Sequence, residues 1–254
     1  GLALWLTADR GLKMDSKGRA ERWLDESGEE HHARQDESGR RPRLIRDAIA
    51  GRPALRFSGN GDYLSLEGEV LNSQSNTIIA VASDRSGLVS HRGIFSNWNG
   101  SAGNSTTSLF LGLTGRGTVR FSDDYRSEGA IERPEDAFVL AASTGSGGSM
   151  ILYNGSVMAS RSSSLSPRKL GGSYVIGQQG NIDGEYWTGD IAEILVYNRQ
   201  LSAAELRRVG ELLAKKYSVP FLSRGSIRDS DPELRALASV CHVLLNTNEF
   251  LYVD

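Results

Sequence analysis

The stretch Tyr186–Leu206, YWTGDIAEILVYNRQLSAAEL, decides the fold. Its centre, Ile191–Tyr197, is rich in β-branched and aromatic residues, which predicts a strand buried on at least one face. Ser202 and Glu205 follow three residues apart, ahead of an apolar-periodic segment, which is the arrangement of a capping box. The stretch therefore predicts a strand, a tight turn and a capped helix in close succession.

Short strand-like segments separated by Gly, Ser and Asn fill the rest of the chain, about a dozen in all at roughly 8–15-residue spacing. The clearest are residues 2–6, 20–24, 62–66, 77–82, 91–96, 108–113, 118–121, 137–142, 149–153 and 174–176. Asn154-Gly155 predicts a type I′ turn, whereas residues 9–17 and 42–49 have the composition of loops. The pattern predicts an all-β fold, an antiparallel β-sandwich.

Two helices are predicted after the strands. Ser202–Tyr217 has apolar residues at helical spacing, and Asp231-Pro232 is a typical helix start. The predicted organisation is therefore a sandwich with its terminal helix over residues 1–218, a linker over 219–230 and a helical tail over 231–254.

The central stretch also matches the pattern G-x-I-x-x-I-x-V-Y-N-R-x-L-S-x-x-E from Gly189 to Glu205, and the chain opens with LWLTADRG at Leu4–Gly11. In both respects residues 2–218 resemble laminin G-like domains. That resemblance implies a concanavalin A-like jelly roll and often a calcium ion at the rim of the sandwich.

The tail, CHVLLNTNEFLYVD at Cys241–Asp254, resembles the carboxyl end of a domain of unknown function in large planctomycete-type bacterial proteins that also carry a cytochrome c-like region. The resemblance implies that the chain is a piece of such a polypeptide. It also implies an exported protein of the cell envelope or extracellular space, with other domains of the same polypeptide as partners.

Composition limits the partners. The net charge is -2, which argues against nucleic acid, because phosphate-binding surfaces normally need a basic excess. Arg40, Arg41, Arg43 and Arg46 are predicted to be a solvated loop. No apolar run approaches the roughly 18–20 residues of a membrane span, so membrane insertion is not expected.

Catalytic residues are not predicted. Retaining glycosidases of this fold place carboxylates two residues apart on one strand, whereas Asp190 and Glu193 are three apart and are expected to face opposite ways. The sequence has no G-x-S-x-G motif for a nucleophilic serine. A glycoside hydrolase is therefore the least favoured of the three functions considered for this chain.

Binding residues are proposed in the loops. The calcium implied by the resemblance has candidate ligands in Asn181, Asp183, Asp123 and Asp124, because hard cations take carboxylate and amide oxygens. A carbohydrate needs aromatic rings and amides. The candidates are Asn97, Trp98, Asn99, Tyr125, Gln178, Asn181 and Tyr186.

The other tryptophans are treated separately. Trp5 and Trp23 are expected in the core, Trp187 is ambiguous, and for Trp98 exposure and partial burial stay equally open. The favoured function is non-catalytic recognition of a carbohydrate or protein surface. The alternative is a structural module that packs on the domain to which the tail belongs.

Overall fold

The computed structural model describes residues 1–87, 90–97, 107–180 and 182–222. Their strands are β1 (Leu2–Thr7), β2 (Leu12–Met14), β3 (Ala20–Trp23), β4 (Ala33–Arg34), β5 (Arg43–Ile49), β6 (Arg52–Ser58), β7 (Leu64–Leu66), β8 (Asn76–Asp84), β9 (Arg92–Ser96), β10 (Phe110–Leu113), β11 (Thr118–Phe121), β12 (Tyr125–Ala130), β13 (Phe138–Gly145), β14 (Gly148–Tyr153), β15 (Ser156–Arg161), β16 (Val175–Ile176) and β17 (Thr188–Tyr197). A 3-10 helix spans Ser38–Arg40, and α1 spans Ala203–Tyr217. The second predicted helix lies outside the described residues.

Two antiparallel sheets confirm the predicted sandwich. The first has the order β15-β14-β13-β8-β17-β6-β5, with β1 also paired to β17. The second has the order β12-β11-β10-β9-β16-β7-β4-β3-β2. Their facing surfaces enclose one apolar core, and a smaller cluster lies between the first sheet and α1.

Strand β17 is central to the first sheet, as its sequence predicts. It pairs with β8 along one edge and with β6 and β1 in turn along the other. Ile194 and Val196 point into the sandwich, while Leu195 packs under α1. Both faces of the strand are covered, which explains its nearly continuous apolar run.

The capping box at the start of α1 is confirmed. The Ser202 hydroxyl accepts a hydrogen bond from the Glu205 amide at 3.3 Å, and the Glu205 carboxylate accepts one from the Ser202 amide at 2.7 Å. Leu206, Val209 and Leu213 form the buried stripe against the first sheet.

The predicted type I′ turn is also present. Asn154 and Gly155 adopt φ values of 48° and 81° between β14 and β15. Glycine takes such angles without steric cost, and asparagine tolerates them.

The prediction of loops at residues 42–49 and 9–17 is wrong in part, because β5 and β2 form there. Both strands lie at the edge of a sheet. An edge strand needs only one neighbour and commonly carries charged side chains, so its hydrophobic pattern is weak. The sequence of β5, RLIRDAI, illustrates this.

The prediction that Asp190 and Glu193 face opposite sides of the sheet is also wrong. The pairing of β17 with β8 shifts between Ile191 and Glu193, where a β-bulge places one extra residue, Ala192. A bulge reverses the alternation beyond it. Asp190 and Glu193 therefore project from the same outer face of the first sheet, where Asp190 meets Arg56 and Glu193 meets α1.

The three tryptophans in the described residues are interior. Trp5 and Trp23 are buried, as predicted, and Trp187 is buried too. The Trp187 indole donates a hydrogen bond to the carbonyl of Ser83 at 3.2 Å, which provides the partner that a buried indole requires.

Candidate functional site

Three of the predicted binding residues meet in the loop of residues 178–186. Gln178 and Tyr186 form an isolated β-bridge, and the Tyr186 hydroxyl donates to the Asp183 carboxylate at 2.9 Å. The Gln178 amide donates to the carbonyl of Ile182 at 3.1 Å. Gln178 and Tyr186 are buried, so their side chains stabilise the loop, whereas Asp183 is exposed.

Asn97 stabilises the chain at a different place. Its side-chain oxygen accepts from the amide of Leu109 at 2.7 Å, and its side-chain nitrogen donates to the carbonyl of Lys169 at 2.7 Å. Both ends of this buried amide are therefore engaged by main-chain groups. Trp98, Asn99 and Asn181 lie outside the described residues.

Asp124 and Tyr125 contribute to a contact between the two sheets. Asp124 pairs with Arg161 at 2.6 Å, and the Arg161 guanidinium lies 4.7 Å from the centroid of the Tyr125 ring. The Tyr125 hydroxyl donates to the carbonyl of Ser149 at 3.2 Å, and burial raises the pKa of Tyr125 to about 12. The structure does not bring Tyr125 together with the loop of residues 178–186.

Two of the four calcium candidates are already bound to arginine. Asp123 pairs with Arg120, and Asp124 pairs with Arg161. A divalent cation beside either carboxylate would compete with a guanidinium, which does not fit a calcium site. No group of three or more acidic, His or Cys side chains suited to a metal occurs among the residues that the structure describes. Asp183 keeps an exposed carboxylate and is the remaining described candidate.

His91 and Glu185 form a titratable pair that sequence reasoning did not single out. The ring nitrogen Nδ1 of His91 lies 4.0 Å from Oε1 of Glu185. Burial disfavours the charged form of each group, so it lowers the pKa of His91 and raises that of Glu185. Oε2 of Glu185 is buried and has no hydrogen-bond partner within the described part of the chain. The two residues are 94 positions apart in sequence, so no local pattern could have linked them.

One open cleft among the described residues has a volume of about 560 Å³. Five arginines line it, and we refer to it as the arginine cleft: Arg19, Arg41, Arg43, Arg56 and Arg85. The remaining lining residues are Gly39, Phe57, Ser58, Asn60, Asp62, Thr188 and Gly189. The cleft thus joins strands β5, β6 and β17 to the segment that contains the 3-10 helix.

Local turn chemistry fixes one wall of the arginine cleft. Gly59 and Gly61 adopt φ values of 79° and 93°, which reverse the chain after β6. The Asp62 carboxylate then accepts from the amide of Ser58 at 2.8 Å and closes the turn. Asp62 is buried, so its carboxylate serves to hold the turn.

Arg40 and Tyr63 lie beside the cleft. The amide of Tyr63 donates to the carbonyl of Arg40 at 3.2 Å, and the Arg40 guanidinium lies 5.9 Å from the centroid of the Tyr63 ring. The pKa of Arg40 is raised, mainly by Glu37, and the charge of Asp183 contributes. Arg40 directly precedes the lining residue Arg41, and Tyr63 directly follows the lining residue Asp62.

A second cleft of about 730 Å³ lies between the start of α1 and β13–β15. Six serines, one of them the α1 capping residue Ser202, together with Gly147 and Glu205 make up more than half of its lining residues. None of its lining residues is aromatic, so it lacks a ring on which a sugar could stack.

A family model described as the concanavalin A-like lectin/glucanases superfamily matches residues 58–207. The match covers more than half of the chain and includes β17 and the first turn of α1. The chain belongs to this superfamily. The match does not reach residues 231–254, so the resemblance of the tail stays a prediction, and no curated protein sequence matches the chain.

Solved structures of proteins with different functions match the fold of this chain. A sialidase of Trypanosoma rangeli, in complex with sialic acid, matches 85% of this chain and 33% of its own length, with 13% identity and a TM-score of 0.57. Domain 4 of AbnA, an extracellular arabinanase of Geobacillus stearothermophilus, in complex with arabinotriose, matches 81% of this chain and 96% of its own length, with 15% identity and a TM-score of 0.54.

The binding domain of botulinum neurotoxin serotype D matches 84% of this chain and 51% of its own length, with 16% identity and a TM-score of 0.57. At these identities the likeness shows the fold alone. The chain spans about a third of the length of the sialidase.

Because the superfamily includes glucanases, the two outer-face carboxylates are of interest. Asp190 is fully buried and accepts two hydrogen bonds from Arg56, at 2.7 and 2.9 Å. Glu193 is fully buried and accepts from Lys216 at 2.7 Å and from Tyr217 at 2.9 Å. Neither carboxylate in this concanavalin A-like domain is exposed to a substrate.

Proposed function

We propose that the chain is a non-catalytic carbohydrate-binding module of a larger exported polypeptide, and that the arginine cleft is its binding site. The observation that carries the proposal is the lining of the cleft. Asn60 presents an exposed amide beside the guanidinium groups of Arg43 and Arg56, and Tyr63, which follows the lining residue Asp62, carries a half-buried ring. Saccharides are recognised by this combination of fixed hydrogen-bonding groups and a ring face.

The non-catalytic role is supported by the state of the acidic side chains. Glycoside hydrolysis needs two carboxyl groups that flank the bond to be cleaved, at a separation of roughly 5–10 Å. Asp190 is held by Arg56 and Arg85, and Glu193 is covered by α1. Their same-side placement arises from the bulge and serves the packing of the sheet.

A fold relative supports the carbohydrate class. Domain 4 of the arabinanase AbnA matches this chain over nearly its whole length, and it holds arabinotriose. The comparison therefore suggests that a sandwich of this size can act as a saccharide-binding unit attached to an enzyme. Catalysis would then reside in other parts of the polypeptide.

The test is a binding panel of neutral and acidic polysaccharides with the purified chain, first in calcium and then in a chelator. Tyr63→Ala is expected to weaken binding at the cleft, whereas Trp98→Ala tests the loop site predicted from sequence. Loss of binding in chelator would support a calcium ion at Asp183. A folded protein that binds no polysaccharide on the panel would refute the carbohydrate function.

A packing role is the second candidate. Val157 and Leu222 are the exposed large hydrophobic residues of the described chain, with 47% and 55% of their surfaces accessible. The amide of Leu222 donates to the carbonyl of Asn154, so Leu222 lies next to the β14–β15 hairpin. If the chain binds no polysaccharide on the panel, the exposed apolar side chains of Leu222 and of the β14–β15 hairpin are where a neighbouring domain of the same polypeptide would dock.

A further inference from the structure

Three arginines of the cleft lie side by side across strands. Arg19 forms an isolated antiparallel bridge with Arg43, and Arg43 is the register partner of Arg56 in the β5–β6 pair. Like charges directly opposite each other on neighbouring strands are destabilising. Asp190, the next residue across the sheet, compensates only Arg56, and it does so through two hydrogen bonds.

The charges of Arg19 and Arg43 are not matched by carboxylates. Arg19 donates to the main-chain carbonyls of Ser38 and Gly39, each at 3.2 Å, and forms no ion pair among the described residues. Arg43 is exposed, and within the described chain its guanidinium has neither a hydrogen bond nor an ion pair. The cleft therefore contains two guanidinium groups whose charge is not neutralised by the fold.

The other charges around the cleft do not remove this excess. Asp190 faces both Arg56 and Arg85, at 2.7 and 3.4 Å, so one carboxylate serves two cations. Arg41 is only 10% exposed and is paired with Asp15. Asp190 is fully buried, and Asp62, the carboxylate in the cleft lining, is buried within its turn, so the exposed charges that line the cleft are those of the arginines.

We propose that the arginine cleft binds the negatively charged group of an acidic saccharide, either a carboxylate or a sulfate ester. This inference rests on the proposed carbohydrate-binding function and specifies its ligand class. A guanidinium presents two parallel donors that match two oxygens of a carboxylate or sulfate. An anion bridging Arg43 and Arg19 would neutralise the repulsion along the arginine row. The exposed side-chain amide of Asn60 would donate hydrogen bonds to, and accept them from, hydroxyls of the same sugar ring.

The saccharide is favoured over nucleic acid as the source of the anion. The chain carries a net charge of -2, whereas nucleic-acid surfaces track many phosphates with an extended basic patch. The excess here is confined to one cleft, which suits one or two charged groups on an otherwise hydroxyl-rich ligand.

Matched polysaccharides test the inference by isothermal titration calorimetry with the full chain. The pairs are polygalacturonate with its methyl ester, which tests the carboxylate, and dextran sulfate with dextran, which tests the sulfate. We expect binding to the charged member of at least one pair and at least tenfold weaker binding to its neutral member. Arg43→Gln is expected to reduce that binding by about tenfold or more, because charge-assisted hydrogen bonds are lost.

Arg46→Gln is the matched control, because Arg46 is an exposed residue of the same strand that does not line the cleft. It removes the same charge and is expected to change the affinity by less than twofold. The melting temperature of Arg43→Gln should not be lower than that of the wild type, since one of two opposed charges is removed. This readout separates lost binding from lost folding.

Each remaining outcome contradicts a different statement. Equal binding of charged and neutral members, unchanged in Arg43→Gln, refutes the acidic ligand and leaves the carbohydrate function standing. No binding to these polysaccharides or to any on the wider panel refutes both. Binding of a single-stranded oligonucleotide as tight as that of the charged polysaccharide refutes the saccharide class.

Discussion

Glu193 fastens α1 to the first sheet, and its replacement by glutamine gives the sharpest test of the packing. The carboxylate accepts from the Trp5 indole at 2.7 Å, from Lys216 at 2.7 Å and from the Tyr217 hydroxyl at 2.9 Å. Glutamine keeps one oxygen, which can still accept from Trp5. Its amide nitrogen would face Lys216, so the attraction to that cation is lost.

The expected cost follows from these contacts. Two charge-assisted hydrogen bonds are lost or weakened, each with a value of about 1.5–3 kcal/mol. Lys216 is 19% exposed and keeps Asp9 at 2.6 Å, which offsets part of the loss. We expect Glu193→Gln to lower the free energy of unfolding by about 3 kcal/mol, near the lower limit for breaking a buried ion pair. In a chain of this length that corresponds to a Tm about 6–12 °C lower.

Urea denaturation followed by circular dichroism measures this change, with thermal melting as a second readout. Glu128→Gln makes the same substitution at an exposed position of β12 and should stay within about 0.5 kcal/mol of the wild type. Tyr217→Phe should cost about 1 kcal/mol, and its effect should not add fully to that of Glu193→Gln, because the two residues share a hydrogen bond. A loss below about 1 kcal/mol for Glu193→Gln would show that the network contributes little to stability.

Three further substitutions test local features. Gly155→Ala should destabilise the protein by about 1–2 kcal/mol more than Gly18→Ala in urea denaturation. Both glycines have positive φ, but a Cβ at Gly155 would lie 2.7 Å from the carbonyl oxygen of Leu222, whereas a Cβ at Gly18 would have no atom within 4 Å. Equal losses of stability in the two variants would contradict the packing argument. Ser202→Ala should cost about 1 kcal/mol because α1 loses its cap, and an unchanged urea midpoint would contradict that role. Glu185→Gln should stabilise the protein at pH 7, because burial raises the pKa of Glu185 above 4.5 in the folded state. The wild type therefore loses stability as the pH rises from the unfolded pKa through the raised folded pKa, whereas glutamine does not ionise. Urea midpoints measured from pH 4 to pH 8 should converge at the acidic end, and a difference independent of pH would refute the burial argument.

The features that could be predicted from sequence are those encoded by contiguous residues. Strand β17 has two covered faces, so its apolar run is long, and the helix that follows carries its own cap in Ser202 and Glu205. The Asn154-Gly155 turn is likewise set by two residues and their φ angles. In each case the local chemistry and the tertiary packing favour the same conformation.

The β-bulge shows why strand faces could not be derived in the same way. Alternation predicts opposite faces for Asp190 and Glu193, and one extra residue, Ala192, reverses the outcome. A bulge depends on how β17 pairs with β8, which is more than 100 residues earlier in the chain. The pairing register is a tertiary property, so a single strand sequence does not determine it.

The arginine cleft could not be predicted from the sequence for a related reason, which also bears on its proposed function. Arg19, Arg43 and Arg85 come from separate parts of the chain, and in sequence the run that includes Arg43 has the composition of a solvated loop. Arg43 instead lies on an edge strand, where charged side chains are tolerated because no further strand must cover them. Beyond β5 there is only the single bridge with Arg19, and the Arg43 guanidinium remains exposed to a ligand. The weak hydrophobic pattern that made β5 resemble a loop is thus a consequence of the exposure that the proposed binding of an acidic saccharide requires.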